Sequence, residues 1–129
     1  HHPVHLLGIG DQVDIWNFVR WGIDTFDCVS PTRIARHGTA LTRNRGNKIN
    51  IKNAVHREDF NKLDELCECH TCNNYTRSYL HHLFKIDEIL GLQLLTVHNI
   101  HYMNRMMQSI RDAINNNSLD QAQNEWFLS

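Results

Sequence analysis

No apolar run in this sequence reaches the ~18 residues of a membrane-spanning helix, and no charged-then-apolar segment opens it as a secretion signal does. Internal repeats and low-complexity tracts are absent as well. At 129 residues, 41% hydrophobic and 21% charged, the chain has the size and composition of one ordinary globular domain and not of a disordered segment. Methionine is missing from the first position. His1 and His2 are native residues or the remnant of a tag, and the chain reads as a piece of something longer. Cysteines number only four. Three crowd into "CECHTC" (67–72) and the fourth, Cys28, lies far upstream, a poor layout for two disulfide bridges. Reduced thiols and a cytoplasmic location are therefore expected.

Acidic residues are absent between Cys28 and Arg57, where seven basic ones stand: Arg33, Arg36, Arg43, Arg45, Lys48, Lys52 and Arg57. The remainder of the chain has six basic and fourteen acidic residues. A basic block inside an acidic chain is either a docking surface for a polyanion or a solvated loop, and charge alone does not choose between them.

"VHLLGIG" (4–10) reads as a short buried strand that ends in a glycine turn. Val13, Trp16, Val19 and Ile23 then recur at helical spacing, with Asp11 as N-cap, Asp14 in the first turn and Gly22 as the stop. "IDTFDCV" (23–29) is a second strand ended by Pro31, which makes a βαβ unit with parallel strands. Residues 32–53 are expected to form a loop and hairpin, with Ile49 and Ile51 on one side of a strand. An amphipathic helix is expected from Tyr75 to Leu90, closed by Gly91. A second runs from about Thr96 to Ile114, with a stripe of Ile100, Met103, Met106, Met107, Ile110 and Ile114. "NNNS" (115–118) stops it.

Cys67, Cys69 and Cys72 follow C-x-C-x2-C, and a tight loop can aim three soft thiolates at one point, which suits zinc. The fourth ligand comes from Cys28, His70, His81, His82, His98 or His101. His70 would crowd the loop, and His81 and His82 sit mid-helix. His98, at the expected start of the last helix, leads on spacing, with His101 and Cys28 behind. Four protein ligands leave no position for water, so the role is structural. The metal would supply part of the folding free energy of the loop-rich segment 55–98.

The stretches "GIDTFDCVSPTRIARHG" (22–38), "INIKNA" (49–54), the cysteine loop followed by "YTRSYLHHLF" (75–84), and "GLQLLTVHNIHYMNRMMQSIRDAI" (91–114) are long and specific. Together they resemble the C-terminal third of a bacterial-type tRNA-guanine transglycosylase (queuine tRNA-ribosyltransferase). The resemblance implies an α/β fold: the last two strands and helices of a (β/α)8 barrel, with a zinc-binding insertion. Residues 1–54 would hold the last barrel strands, 55–98 the zinc subdomain and 96–129 the C-terminal helix that completes the barrel. It also implies His98 of the "HN" pair as the fourth zinc ligand. A full barrel needs about 250 residues, so the chain is expected to be a fragment.

The same resemblance implies base exchange at the wobble guanine of a tRNA anticodon, with a deazaguanine inserted as a queuosine precursor. Asp27 of "FDCV" stands at the end of the second expected strand, where barrel enzymes keep catalytic groups. A lone aspartate there is otherwise a loop or cap residue. The resemblance makes it the nucleophile. A carboxylate suits that task, because two displacements at the anomeric carbon preserve its configuration. Leu7 and Gly8 are the implied pocket residues. Gly8, Ile9, Gly10, Asp11, Gln12, Val13 and Asp14, with Thr32, Arg33, Ile34, Ala35 and Arg36 of "TRIAR", are the implied RNA-contact residues. Arg43, Arg45, Lys48 and Lys52 are weaker candidates for phosphate contacts. The proton-handling aspartate and most base-reading groups of such enzymes lie upstream, so the piece alone is expected to be inactive. The family's homodimers suggest a homodimer here. The competing expectation is a non-catalytic, zinc-stabilised tRNA-binding or accessory-subunit module, against which the intact "FDCVSPTR" speaks.

Overall fold

The computed structural model describes residues 2–43 and 47–128. Arg45 and Gly46 lie outside the described residues. β1 (His5–Leu6) and β2 (Thr25–Phe26) pair in parallel, His5 opposite Thr25 and Leu6 opposite Phe26, with α1 (Gln12–Arg20) between them. This is the expected βαβ unit, with strands of two residues where longer ones are expected, and with β1 not buried as expected: His5 is exposed and Leu6 half-buried. Gly8 takes φ +71° just past β1, and that left-handed turn ends the ladder. Gly22, at φ +95°, closes α1 with the N–H of Ile23 bonded back to the Phe18 carbonyl, as the glycine stop requires.

Beyond β2 the chain corrects the expected loop. Ser30–Arg36 forms a helix, α2, with Pro31 in its first turn, where a missing N–H costs nothing. The hairpin follows as expected: β3 (Thr39–Leu41) pairs antiparallel with β4 (Lys48–Asn50). A 3-10 turn at Ala54–His56 leads to the cysteine loop and to α3 (His70–Asn74) and α4 (Arg77–Lys85).

Two helix boundaries also differ from expectation. α4 stops at Lys85, and Asp87, at φ +56°, makes the reversal: its N–H bonds the Phe84 carbonyl and that of Glu88 the Leu83 carbonyl. Gly91 ends no helix. It lies inside α5 (Ile89–Asn115), where a Cβ would come within 3.1 Å of the Leu83 Cβ. Its bareness lets α4 and α5 approach closely. After the expected stop at 115–118 a further helix, α6 (Leu119–Leu128), follows.

α5 has 27 residues, about 40 Å of rise, and it is the spine of the molecule. Its N-terminal half joins a core of Ala35, Ile51, Leu63, Leu80, Leu95 and the three loop cysteines. Its C-terminal half joins Ile15, Trp16, Leu41, Met106, Ile110 and Trp126. The buried stripe of α5 runs Leu94, Leu95, His98, Asn99, Tyr102, Met106, Ile110, Ala113. The expected stripe shares Met106 and Ile110 with it, but Ile100 and Ile114 are 45% and 49% exposed. Polar side chains hold the buried face at the middle of the helix, which a count of apolar residues alone passes over. The Tyr102 hydroxyl accepts from both Gln12 Nε2 and Trp126 Nε1 at 2.8 Å and so ties α1, α5 and α6 together. No described helix is long and apolar enough to cross a membrane.

Candidate active site and metal centre

Asp27 leaves the end of β2, its own N–H reaching the Leu6 carbonyl at 3.4 Å. The carboxylate is held at both oxygens. Oδ1 accepts the Gly8 N–H at 2.8 Å, which the left-handed turn aims at it. Oδ2 lies 3.2 Å from His5 Nε2, and His5 Nδ1 lies 2.7 Å from the Thr25 hydroxyl. These contacts, the Gly8 N–H first and His5 second, hold the carboxyl below its ordinary range, because each favours the charged form. The side chain remains 59% exposed. A nucleophile must be ionised, oriented and reachable, and this carboxylate is all three.

Gly10 packs so tightly on Cys28 that an added Cβ would stand 2.3 Å from the cysteine Cβ. The turn after β1 is thereby pressed against the residue after Asp27. A cavity of about 200 Å³ opens beside the carboxylate, lined by Phe26, Asp27, Cys28, Pro31, Met103 and Met107 among others. A larger hollow of about 750 Å³ lies between Arg57, Phe60, Tyr79 and Lys85 and contains no carboxylate, so the smaller one is where Asp27 can act.

The turn after β1 places Leu7, 72% exposed, and Gly8 on the same rim as Asp27. Ile9 is half-buried and Gly10 buried; Asp11, Val13 and Asp14 are exposed, and Asp11 pairs with Lys48 at 3.6 Å. Gln12 is turned inward, its amide committed to Tyr102 and to the Asn47 carbonyl. In α2, Ala35 is fully buried and Ile34 packs on the core, while Arg33 and Arg36 face solvent one turn apart. The Thr32 hydroxyl donates to the Val29 carbonyl. Neither arginine shows an ion pair among the described residues. Arg43 is otherwise engaged: its guanidinium lies 4.1 Å from the Trp126 ring centre, and its backbone N–H donates to the Asp64 carboxylate.

The ligand atoms of Cys67, Cys69, Cys72 and His98 lie within 4.8 Å of one another, and all four residues are buried. His98 Nδ1 is 3.6, 3.4 and 3.3 Å from the three sulfurs in that order. A zinc ion at ordinary Zn–S and Zn–N lengths sets each tetrahedral S···N edge at about 3.6 Å. The observed edges match, so the donor set fits such an ion. Backbone N–H groups of Cys69 and Cys72 point at the sulfurs of Cys67 and Cys69. His98 Nε2–H donates to the Leu41 carbonyl at 2.7 Å, which fixes the tautomer that leaves Nδ1 free to bind. The Thr71 hydroxyl donates to the Leu94 carbonyl at 2.6 Å and clamps the loop to α5.

The buried donors hold protons unequally: bonds to Cys67 and Cys69 push the Cys72 thiol up, toward its protonated form. Hydrogen bonds from Cys67 and Cys72 drive the Cys69 thiol far down, toward thiolate. Burial opposes charge on the His98 ring, yet its bonds to Cys67 and Cys69 prevail and push it up to about 10. A divalent cation would engage all four donors at once.

His98 is not in a first turn as expected; it lies ten residues into α5, and the helix crosses the loop midway along its length. The other candidate ligands, His82 and His101 among them, lie outside the cluster. His81 donates to the Ile51 carbonyl at 2.7 Å, His70 is exposed beside Asn74, and Cys28 is exposed in a different region. Sequence reasoning passed over two residues. One is His5, whose only signal is its place opposite Thr25 in the parallel pair. The other is Asn99, next to His98: its Nδ2 donates to the Pro31 and Thr39 carbonyls at 2.9 and 3.0 Å, and its Oδ1 accepts the Leu41 N–H at 2.9 Å. The pair His98–Asn99 thus fastens the metal cluster to β3 and to the first turn of α2, four residues beyond Asp27.

The family model described as "Queuine tRNA-ribosyltransferase" matches residues 1–129. Curated relatives carrying that description include proteins of Roseiflexus sp., 48% identical over 98% of this chain, and of Pseudoalteromonas atlantica, 49% over 94%. A relative from Aeromonas hydrophila is 50% identical over 97% of the chain. In each case the chain spans 32% of the relative's length.

Proposed function

This chain belongs to the queuine tRNA-ribosyltransferase family, and from that premise we propose that it is the C-terminal third of an enzyme that exchanges the wobble guanine of a tRNA anticodon for a 7-deazaguanine. Asp27 is the nucleophile. One carboxylate oxygen attacks the anomeric carbon from the face opposite the base. The carbon–oxygen bond forms as the glycosidic carbon–nitrogen bond breaks, and its electron pair leaves with the guanine, which takes up a proton. The incoming base, giving up its ring proton, then displaces the carboxylate from the original face, so the sugar keeps its configuration. Water must be kept from the ester between the two steps.

The observation that carries this reading is the exposed, doubly held Asp27 carboxylate at the mouth of a parallel strand pair, with Arg33 and Arg36 presented on the next helix. Those two arginines engage phosphates or base edges on either side of the wobble nucleotide. Leu7 lies against the base, and the stretch from Gly8 to Asp14 meets the anticodon; Gln12 contributes there through its backbone. Cys67, Cys69, Cys72 and His98 hold a structural zinc ion, which supplies a cross-link and no open coordination position. β1 and β2 are the last strands of a (β/α)8 barrel in the complete enzyme, residues 55–98 form the zinc subdomain, and the region from 96 to 129 closes the barrel. The enzyme works in the cytoplasm as a homodimer. The exposed side chains of Phe60 and Tyr79 on the metal-bearing half support a partner surface there.

The test joins this chain to the remaining two thirds of the enzyme and measures labelled guanine exchange into tRNA. Asp27→Asn is expected to lower the rate at least ~10³-fold, since Asp27 is the carboxylate that lines the cavity beside β2. Exchange restored equally by wild type and by Asp27→Asn refutes the assignment.

A further inference from the structure

We propose that His5, oriented by Thr25, is a positioning residue for the Asp27 carboxylate, an inference that rests on the reading of Asp27 as the nucleophile. A carboxylate at an exposed strand end turns freely unless both oxygens are tied. The Gly8 N–H ties Oδ1 at 2.8 Å, and among the described residues only the His5 imidazole reaches Oδ2, at 3.2 Å. The imidazole is itself fixed. The Thr25 hydroxyl lies 2.7 Å from Nδ1, and His5 and Thr25 are direct partners across the β1–β2 pair, so the strand register sets that distance. When the hydroxyl donates to Nδ1, the ring proton stands on Nε2 and is donated to the carboxylate. A neutral imidazole therefore suffices, and no charge on His5 is required.

The arrangement serves both chemical steps. Before attack, two N–H donors fix the plane of the carboxylate and leave a further lone pair on each oxygen for the anomeric carbon. In the ribosyl ester one oxygen is bonded to carbon and the other is a carbonyl that still accepts a hydrogen bond. When the incoming base breaks the carbon–oxygen bond, the electron pair returns to the carboxylate, and the Nε2–H stabilises the charge as it re-forms. His5 touches neither base nor sugar in this scheme and acts only through Asp27.

His5→Phe keeps a planar ring and removes both nitrogens; His5→Gln returns an N–H donor near the Nε2 position. In the full-length enzyme, steady-state exchange of labelled guanine into tRNA is measured beside single-turnover formation of the covalent RNA–protein species. His5→Phe is expected to lower kcat and the single-turnover rate about 10- to 100-fold, the range for a misplaced reacting group. KM for tRNA should stay within about twofold, and His5→Gln should recover most of the loss. Wild-type kcat in His5→Phe, equal loss in both variants, or a change confined to KM overturns the proposal. Zinc content reports folding. If His5→Phe does not fold, Thr25→Val and Thr25→Ser decide: kcat should fall in the first and return in the second, and equal values overturn it. Asp27→Asn is run alongside. Its survival refutes the nucleophile itself, whereas a dead Asp27→Asn with a wild-type His5→Phe refutes His5 alone.

Discussion

Asn99→Asp exchanges one amide NH2 for an oxygen at a position with no solvent exposure. The wild-type amide nitrogen donates to the Pro31 and Thr39 carbonyls, and the amide oxygen accepts the Leu41 N–H. After the change the Leu41 contact survives, but two carbonyl oxygens face a third oxygen at about 3 Å. An ionised carboxylate there is opposed by burial and by both carbonyl dipoles, so its pKa is raised. The protonated form can donate to one carbonyl and leaves the other without a partner, a cost of about 1–3 kcal/mol. The sign of the pH dependence follows. An unfolded aspartate titrates near 3.9, and the folded group titrates above that. Between the two values the native state binds more protons than the unfolded chain, so stability falls as pH rises, by about 1.4 kcal/mol per pH unit. Above the folded pKa the loss levels off. Urea unfolding of wild type and variant at pH 6 and pH 8, both zinc-loaded, measures this as a difference in which the shared pH dependence of the metal site cancels. The variant should be less stable at both values and more so at pH 8, by up to about 3 kcal/mol. A deficit that is the same at the two pH values, or no deficit, would refute the account of Asn99 as a buried three-way hydrogen-bonding hub.

Two further outcomes are expected. His98→Ala should drop zinc content below about half an equivalent by metal analysis, while His101→Ala and Cys28→Ser keep it full; retention in His98→Ala would mean that a different fourth ligand binds. Arg33→Ala and Arg36→Ala should each weaken tRNA binding and reduce the salt dependence of the affinity by about one ion per side chain, with metal content unchanged. An unaltered salt slope would show that these guanidiniums do not meet phosphate.

Much of the site was legible because its signals are local. C-x-C-x2-C brings three thiols together through a loop of six residues, whatever surrounds it. The parallel pairing of β1 with β2 follows from strand, helix and strand within 26 residues. Other features were hidden by a single assumption each. Pro31 reads as the end of a strand, yet a proline equally opens a helix, and α2 carries both solvent-facing arginines. Gly91 reads as a stop, yet inside α5 it is a point of close approach to Leu83. The C-terminal apolar pattern led to Ile100 and Ile114, because His98, Asn99 and Tyr102 were not counted as core. A buried polar residue becomes core only when its partners are known, and those partners come from α1, α2, β3, the cysteine loop and α6.

The sequence by itself determined the chemistry available: a carboxylate after a β-strand, a basic segment without acids, three clustered thiols and a surplus of histidines. Spacing already favoured His98 as the histidine that joins the thiols, and the structure brings it there; which groups hold the Asp27 oxygens, and how the metal cluster is fastened to the arginine-bearing helix, were decided by tertiary structure alone. The reason is the separation along the chain. His98 Nδ1 meets sulfurs 26 to 31 residues away, and His5 meets a carboxylate 22 residues away. Asn99 meets carbonyls 60 and 68 residues away. Spacing could rank His98 first among the histidines, but the contacts themselves are set by the packing of α5 across the loop and by the register of two short strands.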